Sequence, residues 1–205
     1  MNRWDERYGH DRYYYGEEPN RHVARALDGL PPGRGLFLAE GEGRNAVYAA
    51  DLGHDVVAID SSREGRRKAR RLAERRGVAI DYVLADVAAY PWDDETWDFV
   101  VLCFFQMVAA ERRAFHRRVA GALRSGGHLI LQAFSKRQYG RDSGGPPDRD
   151  LLYELDDLKM DFAPLRWLVA REHEVQLAEG VGHRGLAAVI EMIGVREDGV
   201  SRRHR

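Results

Sequence analysis

The stretch Leu36-Phe37-Leu38-Ala39-Glu40-Gly41-Glu42-Gly43-Arg44-Asn45-Ala46-Val47 decides the fold. A short apolar run, residues 35–39, gives way to an acidic turn punctuated by glycine. Residues 46–52 then read as a helix closed by Gly53. Asp55-Val56-Val57-Ala58-Ile59-Asp60 follows and is apolar almost throughout, as a strand buried on both faces is. Strand, glycine turn, helix and strand within about 26 residues form the compact βαβ unit of a parallel sheet.

Working outward, the alternation continues. Residues 63–76 predict a helix stopped by Gly77, residues 80–86 a third strand and residues 97–105 a fourth. Residues 110–123 predict a helix, and Ser125-Gly126-Gly127 turns the chain into a fifth strand over 128–134. Buried strands alternating with helices make an α/β sandwich. Beyond it lie a polar loop (135–149), a helix (150–162) and two strand-like segments (165–179 and 186–196) around Gly180-Val181-Gly182-His183-Arg184-Gly185, the pattern of an antiparallel hairpin. Upstream, an aromatic and charged arm (1–20) precedes a short helix over 21–27. A tail, 197–205, reads as frayed. With no repeat and no composition break, residues 1–205 are expected to be one domain around one core.

Lysine plus arginine (32) nearly cancels aspartate plus glutamate (33), so charge gives no reason to expect a nucleic-acid or membrane partner. The arginine-rich segment 63–71 reads as the solvated face of an outer helix. The single cysteine, Cys103, cannot form an internal disulfide, and the opening residues lack the apolar core of a signal peptide; a cytoplasmic location is expected.

Chemistry concentrates at the first βα turn. Gly41 and Gly43 permit tight backbone and close ligand approach, and the next helix offers unpaired N–H groups. Asp60, 19 residues after Gly41, ends the second strand, where a carboxylate can accept from two ribose hydroxyls. Asp86 ends the third strand on the same edge and can accept from an exocyclic amine. Each has a plainer use: a tight turn for the glycines, a helix cap for Asp60 before Ser61-Ser62. Turn and acids share one edge in chain order, which favours a nucleoside-containing cofactor. A nicotinamide dinucleotide also fits the glycine spacing, but Glu40 and Glu42 would repel its pyrophosphate, whereas a sulfonium tolerates acids.

The turn Leu38–Ala46, with Asp60, Leu84-Ala85-Asp86 and Gly126-Gly127, resembles the class I S-adenosylmethionine-dependent methyltransferases. The ends of the chain (Trp4, Tyr8, Tyr15-Gly16, Pro19-Asn20; Glu179-Gly180, His183, Gly185) are similar to a bacterial subgroup of tellurite-resistance and thiopurine-type enzymes. The resemblance implies a Rossmann-like three-layer sandwich with a seven-stranded, mostly parallel sheet in the order 3-2-1-4-5-7-6. It implies S-adenosyl-L-methionine as cofactor, Asp60 on the ribose, Asp86 on the adenine amine and the Gly41–Gly43 backbone under the methionine part. Trp4, Tyr15, Glu40, Glu42, Asn45, Ser61, Val87, Cys103 and Phe104 complete the expected donor-binding set. Two departures stand out: the usual acid ending the first strand falls at Phe37, and Ala39 replaces the first glycine. Glu40 is expected to supply the carboxylate for the donor's ammonium.

Methyl transfer from a sulfonium is an in-line displacement that needs alignment and water exclusion more than acid–base groups. A base is needed only where the acceptor carries a proton. His183, in the glycine-flanked turn, is the candidate catalytic residue, against the plainer reading of a surface histidine. Arg184, Phe105 and Gln106 join it as candidate acceptor contacts; no metal site is indicated. Cys103 reads as a buried filler rather than a nucleophile. The 135–149 loop has the length of a lid, and the arm is either a second lid or a packed strap. The expected function is methyl transfer to a small molecule. An NAD(P)-dependent oxidoreductase and a non-catalytic S-adenosylmethionine-binding protein remain alternatives.

Overall fold

The computed structural model describes residues 3–92 and 96–197. Seven strands form one sheet in the order β3-β2-β1-β4-β5-β7-β6. They are β1 (Arg34–Leu38), β2 (Asp55–Asp60), β3 (Asp81–Leu84), β4 (Trp97–Cys103), β5 (Leu123–Phe134), β6 (Leu165–Glu179) and β7 (His183–Arg196). The first five run parallel; β7 is antiparallel to both β5 and β6. The expected topology is therefore present.

Strand periodicity of two explains the layers. Leu36 and Leu38 of β1 enter one core with Val100, Leu102, Leu129 and Leu131, packed against Phe115 and Val119 of α5 (Ala109–Ala122) and Leu158 of α6 (Leu155–Asp161). Phe37 points to the other face, into a core with Val56, Ala58, Phe99 and Val101. That core is covered by Val23 and Leu27 of α2 (Arg21–Leu27), Ala46 and Ala49 of α3 (Arg44–Asp51) and Ala69 of α4 (Arg63–Arg76). Helices on both faces are what an apolar parallel sheet demands.

Several boundaries differ from the sequence reading. A short helix, α1 (Arg3–Tyr8), lies in the arm. The helix expected over 150–162 splits into a 3-10 turn, Arg149–Leu151, and α6. The bridge of Ser135 to Tyr153 ties the intervening segment to the sheet edge. β7 begins at His183 rather than 186, so the hairpin turn is tight and the histidine is its first paired residue. The tail beyond Glu197 lies outside the described residues. No helix among the described residues is long and apolar enough to cross a membrane.

Candidate active site

The chain leaves β1 through Ala39 in a left-handed conformation (φ 56°) and leaves the neighbouring β4 through Phe104 in another (φ 55°). Among the described residues these are the non-glycine positions with positive φ. Such conformations cost on the order of 1–3 kcal/mol each and persist where surrounding contacts enforce them. Both stand at the carboxyl edge of the central strands, the expected ligand edge of an open α/β sheet.

Glu40 follows Ala39 and is buried. Its Oε1 accepts from the N–H groups of Asn45 (2.7 Å) and Ala46 (2.9 Å), and so caps α3, whose N-cap residue Gly43 has no side chain to do so. Burial pushes the Glu40 carboxyl up to about 7, against those two hydrogen bonds. Gly43 has φ 88°, and a Cβ there would lie 2.4 Å from that of Ala69. The close approach of α3 to α4 therefore requires this glycine, whatever else the turn binds.

Asp60 is buried at the end of β2. Its Oδ2 accepts from Gly41 N–H (2.9 Å) and its Oδ1 from Ser62 N–H (2.8 Å). No cation among the described residues pairs with it, and burial raises its carboxyl. Each oxygen keeps an acceptor site, the arrangement two vicinal hydroxyls require. The residues thus fit the ribose of a nucleoside cofactor. Asp86 is exposed; its Oδ1 caps the following turn through Ala88 N–H (2.9 Å). Its neighbour Val87 is buried against the core, and Ser61 is exposed.

Glu42 is spent within the protein. Its Oε1 pairs with Lys68 Nζ at 2.7 Å, both side chains buried, and its Oε2 accepts from Tyr14 N–H (2.7 Å) and Tyr15 N–H (3.4 Å). This corrects the charge balance expected from sequence: repulsion of a pyrophosphate at the turn rests on Glu40 alone. The clasp holds the N-terminal arm in place. Asp5 Oδ1 accepts from Ser62 Oγ (2.6 Å), Tyr13 Oη donates to Lys68 O (2.9 Å), and Trp4 stacks on Tyr8 with ring centroids 5.6 Å apart. The Tyr8 hydroxyl sits over Gly41, where a Cβ would meet it at 2.7 Å. These contacts pack the arm along α4 and across the turn.

On the far side of the turn, Phe104 stacks on Phe134 (4.5 Å), and Phe105 turns into the core against Phe115 (5.4 Å). Gln106 donates to the carbonyls of Phe134 (3.1 Å) and Leu151 (2.7 Å). It pins the loop to β5 because two backbone acceptors there need a donor, so its amide is engaged away from the expected pocket. Cys103 is half-buried, and burial pushes its thiol up to about 12, which excludes a thiolate at neutral pH.

His183 is 3 % exposed, not a surface histidine. Its ring lies 4.4 Å from that of Tyr15, 4.3 Å from Phe104 and 5.2 Å from Phe134, centroid to centroid. Arg184 is exposed, and its N–H is taken by Ser143 O (3.2 Å). Three residues with no role assigned from sequence join the site. Arg44 donates to Tyr15 O (3.1 Å) and to Glu179 Oε2 (2.8 Å). Asn20 Nδ2 donates to Gln132 Oε1 (2.5 Å) and Glu179 Oε1 (2.8 Å), while the Asn20 N–H reaches Asn45 Oδ1 (2.9 Å). Glu179 Oε2 lies 3.1 Å from His183 Nδ1. The available signal for Glu179 was its place four residues before His183 across a glycine turn.

Residues 36–131 match the protein family described as a methyltransferase domain. A demethylmenaquinone methyltransferase of Renibacterium salmoninarum is 32 % identical over 120 residues, 58 % of this chain and 49 % of that protein. The chain thus matches about half the length of that relative. Two solved structures share the fold. One, from work on conversion of a disulfide bond into a thioacetal group during echinomycin biosynthesis, has a TM-score of 0.77 at 20 % identity and covers 97 % of this chain and 92 % of its own. The other, TehB from Haemophilus influenzae, has a TM-score of 0.72 at 20 % identity and covers 87 % and 63 %.

Proposed function

We propose that this chain is a class I methyltransferase that transfers a methyl group from S-adenosylmethionine to a small-molecule acceptor, a reading that its matched domain and its sheet order support. The observation that carries the reading is Asp60: a buried carboxylate with no cation partner among the described residues, both oxygens steadied by backbone N–H groups and both still able to accept. Asp60 holds the ribose, Asp86 and Val87 flank the adenine, and the Gly41–Gly43 backbone supports the methionine part. Glu40 faces the ammonium. Trp4, Tyr15 and Phe104 line the remaining edge.

When bound, the donor supplies an activated methyl on a sulfonium whose departure leaves a neutral thioether. The protein's own work is alignment and exclusion of water. The packed arm supports that role, because Tyr8, Tyr14 and Tyr15 cover the turn. The relative named for demethylmenaquinone favours a small organic acceptor over a macromolecule. His183 stands on the acceptor side, next to Phe104. The single cysteine, which cannot form an internal disulfide, favours a reducing compartment such as the cytoplasm.

Incubation with the donor and a panel of thiols, oxyanions such as tellurite, and hydroxyarenes tests the reading. Formation of S-adenosylhomocysteine dependent on one acceptor is expected. Failure to bind S-adenosylhomocysteine, with tight binding of NADH, would replace it with the oxidoreductase alternative.

A further inference from the structure

We infer that the outer face of α4 is a docking groove for the phosphate backbone of a duplex nucleic acid, held without regard to its sequence. The inference goes beyond the proposed function and does not depend on it. The duplex is a docking partner, not the methyl acceptor.

The stretch Arg63-Glu64-Gly65-Arg66-Arg67-Lys68-Ala69-Arg70-Arg71-Leu72-Ala73-Glu74 divides by face. Gly65, Lys68, Ala69, Leu72 and Ala73 are buried, and Lys68 is spent on Glu42 at 2.7 Å. At 3.6 residues per turn the arginines fall together on the opposite side. Arg63, Arg67, Arg70 and Arg71 are exposed and Arg66 is half-buried. With Glu74 they line a groove of about 560 Å³.

Most of this charge is uncompensated. Arg67 pairs with Glu64 at 2.9 Å, and at the carboxyl end of the helix Arg75 pairs with Glu17 (2.6 Å) and Arg76 with Glu18 (3.2 Å). Among the described residues, the side chains of Arg63, Arg66, Arg70 and Arg71 have neither an ion-pair nor a hydrogen-bond partner. The arginines recur at i,i+3 and i,i+4 (63 to 66, 66 to 70, 67 to 71), where like charges repel. Such a row weakens the helix on its own, and a polyanion laid along it removes the repulsion. The net charge of the whole chain is -1, so the positive excess is a local stripe and not a property of the surface at large.

The shape of the stripe selects the occupant. The helix has 14 residues, which makes the stripe about 21 Å long and one helix wide. Acids border its carboxyl end: Glu17, Glu18, and Asp51, whose Oδ2 lies 3.9 Å from Arg76 Nη1. A flat anionic bilayer would meet those acids as well as the arginines. Among the described residues, no exposed large hydrophobic lies on α1 or α4 to enter it. A linear polyanion follows the stripe alone. A duplex carries one charge about every 1.7 Å of its axis, so α4 spans about a dozen phosphates. Guanidinium forks match phosphate oxygens in geometry. Single strands are held largely by stacking their bases on aromatic side chains, and the residues lining this groove include no aromatic ring.

Fluorescence anisotropy with a labelled, mixed-sequence duplex of about 20 base pairs, titrated from about 50 to about 200 mM salt, provides the test. One of the strands alone, vesicles of phosphatidylserine and phosphatidylcholine, and polyglutamate are compared as competitors. If Arg63, Arg66, Arg70 and Arg71 each meet a phosphate, log K should fall against log salt with a slope of about −3.6, a loss on the order of 100-fold across that range. A chain carrying both Arg66→Gln and Arg70→Gln, changes that keep good helix formers, should show about half that slope and bind on the order of 100-fold more weakly at about 50 mM salt. Arg117→Gln, an exposed position on α5 across the sheet, should change neither. Glu74→Gln, which removes an acid from the groove, should bind more tightly. It and the slope of the unmodified protein decide the matter even where the double variant does not fold. No duplex binding at about 50 mM salt, an unaltered slope in a folded double variant, an equal loss in Arg117→Gln, or tighter binding to the single strand, the vesicles or polyglutamate would overturn the inference. Donor binding and methyl transfer play no part in these readings, so its failure leaves the methyltransferase reading untouched.

Discussion

Glu40 occupies the position where the turn's first free N–H groups converge, and its titration has consequences for both stability and binding. Its folded pKa, about 7, lies above the ordinary value of 4.5, so the native state binds the extra proton. The stability this gives is fully present below about 4.5 and is lost as pH rises through about 7. Glu40→Gln keeps an acceptor for Asn45 and Ala46 and cannot ionise. Its melting temperature relative to the unmodified protein should therefore climb with pH up to about 7 and then level off; a difference independent of pH would contradict the assignment. Under the proposed function, affinity for S-adenosylhomocysteine should also rise with pH across that interval, because its ammonium gains a carboxylate partner, and Glu40→Gln should abolish that rise.

Residues at this scale were unevenly legible. Asp60 follows from a strand end and stands at the carboxyl end of β2, whereas Asp86, expected to end the third strand, lies two residues beyond β3 and caps the turn that follows. The partner of Glu42 was not foreseen because Lys68 is 26 residues away, on α4, while Glu42 lies in the turn before α3. Sequence periodicity places Lys68 on α4 but gives no reason for it to face inward. Gln106 was read from strand direction, and only the loop crossing β5 shows what its amide satisfies.

Between elements, the Glu42–Lys68 pair joins α3, α4 and the arm. Both side chains are nearly inaccessible (3 % and 2 %), so removing one partner strands a buried charge. Glu42→Ala should cost about 3–5 kcal/mol in urea denaturation, the usual penalty for an orphaned buried ion. It should also expose residues 9–16 to protease, since the N–H groups of Tyr14 and Tyr15 lose their acceptor. An unchanged midpoint would mean the pair contributes nothing. At the other end of the site, Gly144→Ala should lift the 135–149 loop from the hairpin while the sheet stays intact, because a Cβ there would lie 2.7 Å from His183 Cδ2 and 2.8 Å from Gly182 O. Faster proteolysis within the loop, with unchanged far-ultraviolet dichroism, checks this; unaltered cleavage would show that the turn relaxes around a methyl group.

The helices α2 and α4 matched their expected bounds because clear stop signals end them: Asp28-Gly29 after one and Gly77 in a left-handed cap after the other. The helix α1 was not anticipated. It is six residues long and too short to show a period, and its form depends on the hydrogen bonds Asp5 accepts from Ser62 Oγ and Glu64 N–H and on Tyr8 lying over Gly41. The start of β7 at His183 was missed for a similar reason. Glycine-rich sequence reads as loop, yet Gly185 at φ 114° is paired within the hairpin.

Across the molecule, alternating strands and helices made the α/β class legible, while the order β3-β2-β1-β4-β5-β7-β6 came from family resemblance. Periodicity alone does not choose among crossovers. The buried network joining Asn20, Arg44, Gln132, Glu179 and His183 spans the arm, the glycine turn, the central sheet and the terminal hairpin. It is the part least visible in sequence, because polar residues scattered over some 160 positions carry no pattern until folding brings them together.

Titration calorimetry with S-adenosylhomocysteine, on the unmodified protein and on Asp60→Ala, tests the cofactor assignment most directly. Saturable binding is predicted for the first. The second, still folded, should bind more weakly by about 1.5–3 kcal/mol, the range for hydrogen bonds to a charged acceptor. No binding by the unmodified protein, or equal affinity in the folded variant, would contradict the assignment of a nucleoside donor to this edge of the sheet.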